Sequence, residues 1–177
     1  MNFKRLTTGE GTSYETAMEL YGRSFPIHEQ RKAASQKKIM GNAEYRFNLI
    51  CDDENMVGIL LCWETEDFVY VEHFSILPEL RGKRYGQRAL ELLHQQGKPV
   101  ILEIDPPIDA VSQRRQAFYE RAGYSANDFL HIHPPYREGR SGHPLVVLSY
   151  PRRLSQTEYD AFDRYLRDTV MDFGGKA

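Results

Sequence analysis

The chain has 177 residues, of which 41% are hydrophobic, 12% aromatic and 27% charged. That is enough apolar material for a core, within the usual size of one domain, taken here as residues 1–177. Its 23 Lys and Arg against 25 Asp and Glu leave a formal charge of -2, which argues against nucleic acid as the main partner, because phosphate neutralisation needs a basic surface. No apolar run approaches the ~18–20 residues that cross a bilayer, and Met1-Asn2-Phe3-Lys4-Arg5-Leu6 has no apolar signal core behind its basic pair.

Asn2 to Thr7 alternates weakly and opens a sheet. Thr12-Ser13-Tyr14-Glu15 has capping-box spacing, and Tyr14, Ala17, Met18, Tyr21 and Phe25 then fall on one helical face. Pro26 ends that helix. A more polar helix is predicted from His28 to Met40, stopped by Gly41-Asn42. Glu44–Cys51 and Met56–Trp63 read as a hairpin around a polar turn. If the turn centres between Asp53 and Glu54, Cys51 faces Met56 and Cys62 faces Tyr45, too far apart to bridge. Both cysteines then read as reduced and semi-buried, as in a cytoplasmic protein.

Phe68 to Leu77 is a third strand, ended by Pro78, with a helix marked by Ala89, Leu90 and Leu93 after the loop. Pro99–Ile104 reads as a buried strand, and Ala110–Ala122 as a helix stopped by Gly123. Strands near Tyr124–Ile132 and Pro144–Tyr150 follow. The capping box Ser155-Gln156-Thr157-Glu158 opens a last helix presenting Tyr159, Phe162, Leu166 and Val170 inward. This order predicts an α/β (α+β) fold with a mixed, mostly antiparallel sheet of about seven strands and helices on both faces.

The most informative stretch is Glu72-His73-Phe74-Ser75-Ile76-Leu77-Pro78-Glu79-Leu80-Arg81-Gly82-Lys83-Arg84-Tyr85-Gly86-Gln87-Arg88. A strand runs into a loop with two glycines and three basic residues, which opens directly into a helix. Free N–H groups at a helix start, with the helix dipole, make an anion site. Glycine lets backbone approach a phosphate closely. A solvated basic turn is the plainer reading of the same residues. The loop lacks the Gly-Lys-Ser/Thr of a Walker A and the spacing of GxGxxG.

Arg81-Gly82-Lys83-Arg84-Tyr85-Gly86 resembles the coenzyme A signature Arg/Gln-x-x-Gly-x-Gly/Ala of the GNAT N-acetyltransferase superfamily. Val100-Ile101-Leu102-Glu103-Ile104-Asp105-Pro106-Pro107, with Arg115-Gln116-Ala117-Phe118-Tyr119-Glu120-Arg121-Ala122-Gly123-Tyr124, resembles its second element. The run is similar to a bacterial GNAT subgroup of undefined substrate, and the likeness covers about Tyr45 to Tyr150. It implies the GNAT acyl-CoA acyltransferase fold with acetyl-CoA as co-substrate. It implies that backbone amides from Arg81 to Gln87, including Lys83 and Tyr85, hold the pyrophosphate. Phe74, Ser75 and Ile76 would pair with the pantetheine arm, with Arg115 and Phe118 alongside. Arg84 stands where the pattern has its first glycine, a departure that bears on cofactor affinity.

The resemblance also makes Tyr119 the acid that protonates the departing thiolate. An alkyl ammonium has a reference pKa of about 10.4 and must lose a proton to attack, so a base is useful. Glu72, one pleat before Phe74 and expected on the same face, is the first candidate and Glu103 on the next strand the alternative; either is also readable as a structural hydrogen-bond acceptor. Tyr21, Phe25 and Glu29 would border the acceptor cleft, and His133 and Tyr136, in His133-Pro134-Pro135-Tyr136-Arg137, would shape it. His131, His133 and His143 show no metal-ligand set, and none is expected. Trp63 reads as packing. The expected function is acetyl transfer to a small-molecule amine by a monomer or homodimer, with no nucleic acid or membrane partner. A degenerate acyl-CoA-binding module and a ligand-free interaction domain stay open as alternatives.

Overall fold

The computed structural model describes residues 1–137 and 139–172; the last five residues of the 1–177 span lie outside them. In chain order the elements are β1 (Asn2–Leu6), α1 (Thr12–Ser24), α2 (Ala33–Ile39), β2 (Tyr45–Asp52), β3 (Asn55–Glu64) and β4 (Val69–Ile76). Then come α3 (Tyr85–His94), β5 (Val100–Ile104), α4 (Ala110–Arg121), β6 (Ser125–Ala126), β7 (His131–His133), β8 (His143–Tyr150) and α5 (Gln156–Tyr165). The sheet runs β1-β2-β3-β4-β5-β8-β6, with β7 beside β8. Every pairing is antiparallel except β4 with β5. No helix among the described residues is long and apolar enough to cross a membrane.

Both faces of the sheet are covered, which is why the central strands read as nearly continuous apolar runs. On one face Ala17, Leu20 and Tyr21 of α1, Ile39 of α2 and Phe162 of α5 pack on Phe47, Leu61, Trp63 and Tyr70. On the other, Ala89, Leu90 and Leu93 of α3 and Tyr119 of α4 pack on Leu60, Val71, Leu102 and Leu148. The mixed, helix-flanked sheet matches the sequence expectation.

Four local expectations change. Thr12 is helical and Gly11, at φ 89°, precedes it with no side-chain cap. The predicted helix from His28 becomes a short 3-10 turn at Ile27–Glu29 and then α2, because Arg31 is pulled inward: its N–H donates to the Tyr21 hydroxyl at 3.0 Å and its guanidinium to Glu72. A bulge between Ile50 and Cys51 shifts the hairpin, so Cys62 faces Arg46 and not Tyr45, while Cys51 does face Met56. Both cysteines are free and buried. The predicted strand Tyr124–Ile132 is broken into β6 and β7 because Asn127 turns its side-chain amide onto Val147 O and Ser149 Oγ and accepts from Leu154 N–H.

Candidate active site

The site arises where two strands part. β4 and β5 pair only from Val69–Val100 to Val71–Leu102. β4 then continues to Ile76 bonded only to β3, and β5 continues bonded to β8. The β4 edge beyond Val71 therefore offers main-chain N–H and C=O groups to the gap, the arrangement by which an extended amide-bearing ligand adds to a sheet. The gap opens into a cavity of about 780 Å³.

A second bulge shapes its wall. His73 pairs with Leu61 and Val71 with Cys62, which leaves Glu72 as the extra residue. Glu72 and His73 consequently both turn toward the α1 face, Glu72 bonding Trp63 and His73 lying 4.8 Å from the Tyr21 ring. Phe74 goes to the opposite face. The expectation that Glu72 and Phe74 share a face is thus wrong, because a bulge inserts one residue and reverses the alternation.

At one end of the cavity the chain leaves β4 for α3. The first helical bond runs from Arg88 N–H to Arg84 O, so the amides of Tyr85, Gly86 and Gln87 have no acceptor within the helix. No side chain caps them either, whereas α4 and α5 carry capping boxes from Asp109 and Ser155. Arg84 sits at φ 63° and Gly82 at φ 78°, curling the loop so that Arg81, Gly82, Arg84, Gly86 and Gln87 all border the cavity. A Cβ on Gly86 would come within 3.2 Å of the Phe118 ring, which explains a glycine inside a helix. Free amides, a helix dipole and arginines at one place make a site suited to an anion.

Midway along, Tyr119 of α4 reaches the cavity from the face of β5. It is 8% exposed, and burial pushes its hydroxyl up to about 12, against a small opposing pull from Arg115. It therefore stays protonated at neutral pH. No described residue hydrogen-bonds that hydroxyl, so it is free for a ligand.

The two carboxylates are differently placed. Glu72 has no exposed side-chain surface. Its Oε1 accepts from Arg31 at 2.8 Å and from the Tyr136 hydroxyl at 2.9 Å, and its Oε2 from Trp63 Nε1 at 2.8 Å. Burial alone would raise its pKa, but Arg31, His73, Trp63 and Tyr136 hold it below the ordinary carboxylate value. Glu103 accepts from the Tyr70 hydroxyl at 2.5 Å through Oε2 and meets His131 Nε2 through Oε1. There too burial raises, and His133, His131 and Tyr70 more than reverse it. Both carboxylates are ionised, buried and engaged by donors, the signature of groups that hold other side chains in place.

The geometry meets its match in known proteins. The model of the acetyltransferase (GNAT) family matches residues 14–124. A GNAT-family protein of Bacteroides thetaiotaomicron is 30% identical, with a TM-score of 0.91, covering 99% of this chain and 100% of its own. This chain belongs to the GNAT acetyltransferase family. Bacillus subtilis (strain 168) YjbC is 27% identical over 99 residues, 55% of this chain and 50% of YjbC, so the match spans half the length of that curated relative. An aminoglycoside 6'-N-acetyltransferase complexed with coenzyme A shares the fold, with 14% identity, a TM-score of 0.63 and coverage of 87% and 100%.

With the GNAT fold in place, the residues named from the sequence can be located. Phe74, Ser75 and Ile76 lie on the open β4 edge, and Arg115 and Phe118 line the cavity from α4. Lys83 and Tyr85 are not among the residues that line it. Phe25, Glu29, His133 and Tyr136 border the same cavity. Tyr21 does not: it is 1% exposed, its hydroxyl accepting the Arg31 N–H inside the core.

Sequence reasoning missed four contributors. Arg31, in a run that reads as a solvated helix, is buried against Glu72 and also donates to Val170 O at 2.8 Å. Ser24 bonds Ser75 across the α1–β4 contact at 2.8 Å. Asp105 and His143 come together with Glu29 at the mouth, their ligand atoms within 4.8 Å of one another, with Arg115 bonding Asp105 at 2.6 Å. No sequence signal links these residues, which lie on four different segments.

Proposed function

We propose that this GNAT chain moves an acetyl group from acetyl-coenzyme A to a primary amine of a small molecule, by direct attack in a ternary complex. The single observation that carries the reading is continuity. One cavity is lined by the uncapped N-terminus of α3, the open β4 edge, Tyr119 and a further group of side chains, Phe25, Glu29 and His133. The first three suit diphosphate, pantetheine and thioester in that order, and the further side chains offer a place for a second reactant.

Holding the thioester by its remote nucleotide converts a bimolecular attack into a local one. The amine nitrogen forms a bond to the carbonyl carbon, the carbon–sulfur bond breaks, and the thiolate leaves toward Tyr119. A phenol held at about 12 grips its proton more tightly than a thiol of ordinary pKa ~8.5. Tyr119 therefore acts chiefly by hydrogen-bonding the developing thiolate, the acylated nitrogen's own excess proton completing neutralisation. A small acceptor suits a mouth whose side chains converge within one cavity.

The test is a calorimetric titration with acetyl-coenzyme A, then a screen of polyamines, amino acids, aminoglycosides and peptides, reading free thiol. At 100 times its Kd the cofactor raises stability by about 2.7 kcal/mol. Saturable binding plus amine-dependent thiol release supports the reading; binding without release on any amine leaves a non-catalytic acyl-coenzyme A module.

A further inference from the structure

With Glu72 and Glu103 fully engaged, the attacking nitrogen needs another proton acceptor. We propose that His133 is the general base of this transfer, taking the ammonium proton on Nε2; the inference rests on the acetyltransferase reading above. His133 ends β7 and is 2% exposed, yet borders the cavity that Tyr119 and Phe74 also line. Its Nδ1 lies 2.6 Å from the carbonyl oxygen of Pro134. A carbonyl oxygen only accepts, so Nδ1 carries the hydrogen and Nε2 of the neutral ring carries the lone pair.

Nε2 lies 3.8 Å from Glu103 Oε2, too far for a hydrogen bond. It is near enough for the carboxylate to stabilise an imidazolium. Glu103 itself is held from both sides by Tyr70 and His131, so it orients and attracts without competing for the proton. The other groups around the ring are Tyr136, with ring centroids 5.0 Å apart, and His143 at 6.1 Å, with His73 behind them on β4. His73 differs in the decisive respect: its Nε2 meets Glu29 O at 2.9 Å, and its Nδ1 is buried with no hydrogen-bond partner among the described residues.

The step balances. The ammonium gives one proton to Nε2, the freed nitrogen pair attacks the thioester carbon, the sulfur leaves with the C–S pair, and the acylated nitrogen's second proton passes to the thiolate. The resulting imidazolium returns its proton to solvent.

Two measurements test this. In a long-range proton–nitrogen spectrum of the histidine-labelled full chain, His133 should show the Nδ1–H tautomer when neutral; an Nε2–H tautomer overturns the proposal without any substrate. In thiol-release assays, His133→Asn keeps a donor for Pro134 O and should bind acetyl-coenzyme A like the wild type. With n-propylamine it should lose at least about 100-fold in kcat/KM at pH 7. The loss should shrink as pH rises, and should be small with hydroxylamine, which is already largely neutral. His133→Gln serves as the second variant should the first misfold. Wild-type release left within twofold by both variants sinks the base assignment alone. Acetyl-coenzyme A binding with no release on any amine removes the transfer reading, and this inference with it.

Discussion

Arg31 and Glu72 form an ion pair with no exposed side-chain surface on either partner, 2.8 Å apart. It ties the loop after α1 to the bulge in β4, and through Val170 O to the end of the last helical segment. The same glutamate accepts from Trp63 and Tyr136, so it fixes the main chain that borders the cavity. Arg31→Met strands a buried carboxylate and should cost about 3–5 kcal/mol of unfolding free energy. Adding Glu72→Gln should restore about 1–3 kcal/mol, the coupling expected of contacting groups. Urea denaturation of the two singles and the double measures both; additive effects would mean the pair is not coupled.

Tyr119→Phe keeps the ring against Phe118 and Tyr124, with centroids 5.0 and 5.6 Å away, and removes only the hydroxyl. No described residue pairs with that group, so thermal stability should stay near the wild type. The rate constant kcat should fall about 100-fold with KM for acetyl-coenzyme A nearly unchanged. A fall in KM-dependent terms alone would make Tyr119 a binding residue.

Arg84 occupies the left-handed region at φ 63°, ψ 8°. A side chain there costs roughly 1–2 kcal/mol, against about 0.5–1 kcal/mol of extra unfolded-state entropy for a glycine. Arg84→Gly should therefore stabilise the free protein by about 0.5 kcal/mol, whereas Arg84→Ala, which keeps the Cβ, should not. Paired calorimetry separates the two parts of the residue: Arg84→Ala reports the charge, and Arg84→Gly adds the backbone relief. If Arg84→Gly lowers the midpoint, the strain argument fails.

His73 is buried and its pKa is lowered, by desolvation first, with Arg31 and His133 adding to it and Glu72 opposing. Its unfolded form takes a proton near the ordinary value of about 6.5, and its folded form only at lower pH. The unfolded state thus binds more protons in that window, and stability falls as pH drops below about 6.5 toward the depressed folded value. His73→Gln, which can still donate to Glu29 O, should flatten this portion of the stability curve between pH 7 and 5. Glu72 and Glu103 add their own loss further down, because their folded pKa values lie below the ordinary carboxylate range. Denaturant midpoints across pH 5–8 check the sign.

The GNAT resemblance supplied Tyr119; local patterns carried the strand–loop–helix order, the turn at Asp53, the capping box at Ser155 and the glycine-and-basic loop Arg81–Gln87. Each depends on residues within a few positions of one another, where periodicity and turn chemistry act. Tertiary structure alone decided the face of Glu72, the burial of Arg31, the splitting of β6 from β7 and the placing of His133 beside Glu103. A bulge leaves no mark in residue type. A charge enters the core only when a partner far along the chain is already there to receive it.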